Sequence, residues 1–413
     1  MMKNKFLSLM LVASLALTAC GNNDNAKDNS DTSEDTKVEE SVEEAKDSSE
    51  DTEAEADQEA DEKVDEEKAD DEEKEADENT EEEANDEGEE DAESKEAEVV
   101  SGRVTQNFDL SAHQANESVR LWVPYAQSDD YQTISNEEIK VDENVATASI
   151  EEDELGNKMI YVEFDPEASE KKLRYSFDVS RIEVLRPEIK EEEDFDKAEF
   201  EEYLSDSSLL NINGPVKDKT MEITEGKETV EEKAKVIYDW IYENMVRDND
   251  VVGCGLGDVD DLLEVKAGKC TDIGSVFVAM ARSIGIPAKE TFGVRLSKDD
   301  TADITKAQHC WVEYYQPGTG WFAIDVADVL KACLNDGLEK DSKEALDLKD
   351  YYYGNLDAVR VGFTTGRDLE LSPKQAGEKL NQFGYPYAEV DGNALEFYSP
   401  DTFVYEFSFE KEK

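Results

Sequence analysis

The sequence predicts an α+β fold in which a small all-β domain precedes a domain of helices and antiparallel strands. Residues 99–187 contain alternating β-branched and aromatic residues, as in VRLWVPY and KMIYVEF, and this pattern favours strands. Two later segments, ETVEEKAKVIYDWIYENM and GKCTDIGSVFVAMARSIGIP, repeat apolar residues at helical spacing. Strand-like segments follow these helices. Strands and helices grouped in this way, without regular alternation, are typical of α+β proteins.

The chain begins with the features of a bacterial lipoprotein signal peptide over residues 1–19. Lys3 and Lys5 precede a short apolar run that ends in LTAC at Cys20, and this run is too short to span a bilayer. LTAC followed by glycine resembles a lipobox, which implies that Cys20 becomes the first mature residue and carries lipid. An ordinary signal peptide is the alternative. We therefore expect a lipid-anchored protein on the extracytoplasmic face of a bacterial cell membrane.

Residues 20–98 are predicted to form the lipidated cysteine and a disordered acidic tether. Residues 21–98 contain 39 acidic residues against 7 lysines and no aromatic residue. Such a segment cannot bury enough apolar surface to offset the entropy of ordering, and repulsion between like charges extends it. We interpret it as a spacer between the membrane and the folded part. Binding of cations or of a partner is the alternative.

The remaining residues, 99–413, are acidic as well, with 67 acidic against 34 basic residues. This charge disfavours binding to nucleic acid or to an anionic lipid surface, and it permits cationic substrates. We therefore expect contact with the membrane through the lipid anchor only, no contact with nucleic acid, and a protein or peptide substrate in the cell envelope.

An acidic connector, residues 188–215, is predicted as a helix and loop that leads into the second domain, residues 216–413. In that domain, Thr229 and Glu232 form a capping box at the start of one helix. The segments AQHCWVEYY and WFAIDV, separated by the turn QPGTG, are predicted to form a hairpin.

Cys270 stands at the predicted start of a helix, where free N–H groups and positive partial charge favour a thiolate and can stabilise an oxyanion. On the hairpin, His309 and Asp325 share one face because side chains alternate along strands. A turn centred near Pro317 places them directly opposite, and a turn centred on Gly318 places them diagonally. This arrangement provides a nucleophile, a base and a carboxylate that orients the base.

The other histidine and the remaining cysteines are predicted to be structural. His113 lies in a polar segment and is predicted to be on the surface, whereas Cys310 should point away from His309 and pack. The cysteine spacing fits neither a zinc ribbon nor a dense disulfide scaffold. One disulfide among Cys254, Cys310 and Cys333 is an open alternative outside the cell.

The segments GKCTDIGSVFVAMARSIGIPAKETFGVRL and AQHCWVEYYQPGTGWFAIDVADV resemble bacterial transglutaminase-like domains. That superfamily has a papain-like Cys–His–Asp arrangement, and by position the resemblance implies Cys270 as the nucleophile, His309 as the base and Asp325 as the third member. The resemblance is dense over residues 229–328. Val326 departs from it, because many members have proline there, yet the carboxylate is retained.

The resemblance implies a cysteine enzyme that acts on amide bonds through a thioester, without cofactor or metal. Water as acceptor gives a protease or amidase, and a lysine amine gives a transglutaminase. We favour hydrolysis because it requires only that water reach the thioester. The alternative is a catalytically silent envelope binding or scaffolding module on the same fold. A redox protein is disfavoured by the lack of a spaced cysteine pair, and a phosphate loop at GCGLG by the lack of a Gly-Lys-Ser/Thr ending.

Overall fold

The computed structural model describes residues 96–113, 116–142, 144–397, 399 and 401–413. The predicted signal peptide, Cys20 and the acidic tether up to residue 95 lie outside the described residues. Within the described ranges the chain forms six α-helices and 16 β-strands. None of these helices combines the length and apolar character needed to cross a bilayer.

The helices are α1 Pro215–Ile223, α2 Val230–Asn244, α3 Val259–Val265, α4 Cys270–Ser283, α5 Val326–Asn335 and α6 Lys343–Tyr351. The first eight strands are β1 Val99–Asp109, β2 Val119–Pro124, β3 Gln132–Lys140, β4 Ala146–Glu152, β5 Lys158–Phe164, β6 Lys172–Ile182, β7 Val246–Arg247 and β8 Ala267–Gly268. The other eight are β9 Ala288–Arg295, β10 Thr301–Asp303, β11 Gln308–Gln316, β12 Gly320–Ile324, β13 Arg360–Thr365, β14 Tyr387–Val390, β15 Asn393–Ala394 and β16 Val404–Lys411.

Two five-stranded antiparallel sheets form the β-rich part, in the orders β10-β16-β1-β6-β3 and β15-β14-β2-β5-β4. Alternating apolar residues of β1, such as Val100, Val104 and Phe108, join residues of β2 and β5 in one buried cluster. Strands from the end of the chain complete both sheets, since β16 pairs with β1 and β14 with β2. Strands from both sides of the predicted boundary at 187 thus share sheets. The division into domains stays a prediction.

The acidic connector does not contain the predicted α-helix. Between residues 188 and 214 the chain forms two short 3₁₀ helices, Lys197–Phe200 and Glu202–Leu204, and an isolated β-bridge between Ser207 and Leu210. Its aromatic side chains pack instead on the β11–β12 hairpin, with the Phe200 ring 4.3 Å from that of Tyr315 and the Tyr203 ring 5.0 Å from that of Trp321. Repulsion along the acidic run and these contacts oppose a regular helix.

The second core surrounds α4, which packs on the sheet β12-β11-β9-β13. All residues of α4 are buried, so the apolar face predicted for this helix is part of a helix enclosed on every side. The capping box of Thr229 and Glu232 forms at the start of α2, and Gly285 ends α4 with a φ of 84°. The combination of helices and antiparallel sheets confirms the predicted α+β class.

The hairpin adopts the second of the two predicted registers. Gln316 pairs with Gly320, which centres the turn on Gly318. Strand β12 ends at Ile324, and Asp325 is the N-cap of α5 rather than a strand residue. His309 and Asp325 are therefore brought together diagonally, across the end of the hairpin.

Candidate active site

Cys270 is the first residue of α4 and is buried, with 4% of its surface exposed. The preceding residue, Lys269, has an extended backbone, so the helix starts abruptly at the cysteine. The next amide, that of Thr271, donates to the carbonyl oxygen of Cys254 at 2.9 Å. This bond fixes the helix start against the glycine-rich loop that precedes α3.

His309 lies on β11 beside the start of α4 and is also buried. Its Nε2 lies 2.6 Å from Oδ2 of Asp325, and because a carboxylate only accepts, Nε2–H donates. The other ring nitrogen, Nδ1, is then left for Cys270, as the predicted base requires. Asp325 is held in turn by its role as a cap, because its Oδ1 accepts from the Asp328 amide at 3.0 Å.

Arg360, on β13, is fully buried and binds three carboxylates. It donates to Asp325, to Asp328 at 2.6 Å, and to Asp357 at 2.9 and 3.2 Å. Burial raises the pKa of the Asp325 carboxyl, but the charges of His309 and Arg360 outweigh it and leave that pKa below its ordinary value. Asp325 is therefore ionised and fixed in place where it contacts the imidazole.

Other thiols and the imidazole surround the sulfur of Cys270. Hydrogen bonds from the thiols of Cys254 and Cys310, with the charge and a hydrogen bond of His309, hold the pKa of Cys270 well below its ordinary value despite burial. The same contacts, with burial, raise the pKa of Cys254 and of Cys310 well above the usual range. Of the three thiols, Cys270 is thus the one whose surroundings favour the thiolate.

Asp272 joins the glycine-rich loop to the start of α4. Its carboxylate accepts from the amides of Gly257 at 2.8 Å and Lys269 at 2.9 Å. Gly255 has a φ of 96°, and a Cβ built on it would lie 2.0 Å from an oxygen of Asp272. Only glycine fits this approach. The loop contributes Gly253 and Cys254 to the lining of the pocket over Cys270.

An oxyanion formed near the sulfur would meet the amide of Cys270 itself. This amide is at the first helical position, where no intrahelical acceptor exists. Within the described part of the chain it makes no hydrogen bond to another group. One donor is therefore available for a tetrahedral intermediate.

His309, Asp325 and Asp328 place potential metal-ligand atoms within 4.8 Å of one another. Both carboxylates are already bound by Arg360, and Arg295 also binds Asp328. Two guanidinium groups at this point repel a cation. We interpret the cluster as an ion-pair network that orients His309.

The structure brings together the three predicted residues Cys270, His309 and Asp325. The prediction missed Arg360, for which the sequence carries no local signal, and the role of Asp325 as a helix cap, which the spacing to Asp328 could have indicated. The prediction that the side chain of His113 lies on the surface was wrong. Its side chain is only 12% exposed, because its ring packs against the last turn before β16 and donates from Nε2 to the Thr402 carbonyl at 2.7 Å.

Cys310 is buried in the core around α4, as expected for a packing residue. Its thiol does not turn away from the site, however, but lies 3.5 Å from the hydroxyl of Thr271, next to Cys270. The reason is that α4 packs directly on β11. The face of β11 that carries Cys310, opposite His309, therefore also contacts the start of α4. The four cysteines in the described part of the chain are free, so the alternative of a disulfide is not realised in this structure.

Comparison with known proteins identifies a family for this chain. Residues 217–326 match the model of the transglutaminase-like superfamily core. An uncharacterised protein of Haemophilus influenzae is 34% identical over an alignment 337 residues long, which covers 74% of this chain and 90% of that protein.

Two solved structures show weaker likenesses to this chain. A candidate cysteine protease from Cytophaga hutchinsonii has 16% identity and a TM-score of 0.45, covering 76% of this chain and 98% of its own. The periplasmic domain of TgpA from Pseudomonas aeruginosa has 14% identity and a TM-score of 0.31, covering 59% of this chain and 98% of its own. Both likenesses are too weak to carry an argument about this chain.

A cysteine at the start of a buried helix, with a histidine and an aspartate on the adjoining sheet and helix cap, defines a protein of the papain-like Cys–His–Asp class. Within that class, the chain belongs to the transglutaminase-like superfamily.

Proposed function

We propose that the protein is a cysteine enzyme that acts on amide bonds of proteins or peptides in the bacterial cell envelope. The Cys270 thiolate attacks the carbonyl carbon and forms a tetrahedral intermediate, whose oxygen accepts from the Cys270 amide. His309 gives its proton to the leaving amine as the C–N bond breaks, which leaves a thioester on the sulfur. Water or a second amine then attacks the thioester and regenerates the thiolate.

One observation carries this proposal, namely that the Cys270 sulfur lies at the start of α4 beside an imidazole that the buried carboxylate of Asp325 holds in place. A thiol that only packs has no need of such an arrangement, and burial together with the contact to Cys270 raises the pKa of the Cys310 thiol instead. The alternative, a silent binding module, gives no reason for the ion-pair network of Arg360 and Asp325 next to the start of α4.

Hydrolysis is the favoured second step. A pocket of about 670 Å³ opens over Cys270 and His309 and is lined mainly by polar and charged groups. Water can enter such a pocket, and hydrolysis requires nothing further. Transfer to an amine would require that the pocket exclude water while it binds the acceptor.

The test is profiling of thiol reactivity in the folded protein, with each cysteine located by mass spectrometry. Iodoacetamide should label Cys270 faster than Cys254 or Cys310, and His309→Ala should remove this difference. Equal rates for the three thiols in the unsubstituted protein would instead support the silent module.

The acceptor is tested separately with a labelled primary amine and a glutamine-containing protein. Cleavage or deamidation without incorporation of the amine, lost in Cys270→Ala, supports hydrolysis. Incorporation that depends on Cys270 shows acyl transfer and contradicts the favoured step.

We also propose that lipid on Cys20 anchors the protein at the extracytoplasmic face of the cell membrane. The basis is the LTAC sequence after a basic and apolar start. Replacement by Cys20→Ala should move the protein from the membrane fraction to the soluble fraction. Retention in the membrane fraction after this change would contradict the anchor.

A further inference from the structure

The pocket over Cys270 has a charge opposite to that of the chain. The whole sequence contains 106 acidic against 43 basic residues, yet the pocket is lined by five cationic residues and one acidic residue. Two other pockets of similar volume contain more acids than bases, four against three and five against three. The cationic residues of the catalytic pocket are Arg247, Lys269, Arg295, Lys306 and Lys331, and its acid is Asp250.

Most of these positive charges lack a compensating carboxylate. Arg295 is neutralised by its ion pair with Asp328. For the other four, no carboxylate of the described residues lies within ion-pair distance. Burial and the nearby charges of Arg295 and Arg247 lower the pKa of Lys331, and the charges of Cys270 and Asp325 oppose this shift only in part.

The four cations reach the pocket from separate segments. Arg247 is on β7, Lys269 caps α4, Lys306 precedes β11 and Lys331 is on α5. They stand around Cys270 and His309, which line the same pocket. Four cations from four segments surround one thiolate, so the pocket keeps an excess of positive charge that costs electrostatic energy and that an anionic ligand would relieve.

We propose, on the basis of the proposed function, that this pocket binds an acyl donor with a carboxylate close to the scissile amide. In a peptide substrate the carboxylate is that of an Asp or Glu side chain or of the C-terminus. Arginine and lysine bind carboxylates through charge-assisted hydrogen bonds. The same charge repels a lysine amine as acceptor, in line with hydrolysis.

The negative charge of the rest of the chain does not cancel this preference. The Debye length is about 8 Å at physiological salt, so a substrate inside the pocket responds mainly to the groups that line it. The acidic groups outside the pocket therefore affect the approach of the substrate more than its binding.

The first experiment measures the potential at the sulfur without any turnover. The full-length protein is alkylated at Cys270 with anionic iodoacetate and with neutral iodoacetamide, and the ratio of the two rates is compared between variants. Lys331→Gln and Lys306→Gln should each lower the ratio about 1.5- to 5-fold, the range of exposed charge pairs. Lys379→Gln, which removes a lysine from one of the acidic pockets, should leave it unchanged. A ratio unchanged in the first two variants would overturn the inference.

The second experiment measures turnover of a peptide library with free carboxyl groups and of the same library after conversion of its carboxyls to methylamides. We expect faster turnover of the free library, and a smaller difference in Lys331→Gln. The positions of the cleaved bonds distinguish acidic side chains from C-terminal carboxyls. Equal turnover of both libraries overturns the carboxylate preference but does not contradict the proposed reaction. No turnover of either library overturns the reaction, and the substrate inference with it, even if the alkylation ratio behaves as expected.

Discussion

Replacement of Arg360 by methionine tests whether the buried ion-pair network both stabilises the fold and activates the site. Arg360 is fully buried and is the common partner of Asp325, Asp328 and Asp357. Methionine has a similar length and no charge, so Arg360→Met leaves three carboxylates close together with the loss of their main counter-charge.

The expected cost follows from the contacts. Four charge-assisted hydrogen bonds at about 1.5–3 kcal/mol each would sum to about 6–12 kcal/mol. This sum is an upper limit, because burial of the guanidinium itself costs energy and because Arg295 stays close to Asp328 and Asp357. The loss of one partner from a buried ion pair typically costs about 3–5 kcal/mol, which for a folded body of about 300 residues lowers Tm by about 5–8 °C.

The assay combines thermal unfolding with iodoacetamide labelling of Cys270 below Tm. We expect Arg360→Met to lower Tm and to slow labelling, because Asp325 no longer holds His309 in place. Arg181→Met is the matched control, since Arg181 is also buried but has one long ion pair, 3.9 Å from Asp129, and a guanidinium 5.6 Å from the centre of the Tyr131 ring. It should lower Tm less than Arg360→Met, because a single long ion pair is lost, and leave labelling unchanged. Equal effects of the two substitutions on Tm and on labelling would refute the reasoning.

Three further predictions concern the loop, acid stability and the thiol. Gly255→Ala should lower the free energy of chemical unfolding more than Gly226→Ala does. Both glycines have positive φ, but only at Gly255 would a Cβ lie 2.0 Å from a carboxylate. Equal losses of unfolding free energy would contradict this packing. The charges of Arg360 and Arg295 lower the pKa of Asp357 despite burial, so the stability that this group contributes is complete above about pH 5 and is lost as pH falls through the lowered pKa. Tm measured from pH 7 to pH 3 should therefore fall, and fall less in Asp357→Asn. Labelling of Cys270 should persist well below pH 9, the ordinary pKa of a thiol, and a rate that falls tenfold per pH unit below pH 9 would contradict its lowered pKa.

The parts of the site that could be predicted from the sequence depend on short-range signals. Thr229 and Glu232 lie three residues apart and cap α2, and the start of α4 at Cys270 follows from the apolar pattern after it. The hairpin was predictable because its turn is short, and alternation along β11 sets the face of His309. For these residues, local propensity and pattern agree with the final fold.

Other parts depend on contacts between distant segments. Arg360 lies 35 residues after Asp325 on a strand that pairs with β9, and neither residue carries a sign of the other. The acidic connector contains helix-forming residues, yet its aromatic side chains find partners on the hairpin. Such tertiary contacts override local propensity, and one sequence does not contain the pairing information needed to foresee them.

The net charge of the chain permits cationic substrates, whereas the proposed preference of the pocket is for an anionic one, and the two differ because of distance. Composition sums every charge equally, and more than a third of the acids fall within residues 21–98. The field at Cys270 weights each charge by proximity and by screening, so Lys269 and Lys331, which line the pocket, count for more than many acids beyond the Debye length. The sign of a binding site can therefore oppose the sign of its protein whenever the fold collects a few charges of the minority kind around one cavity.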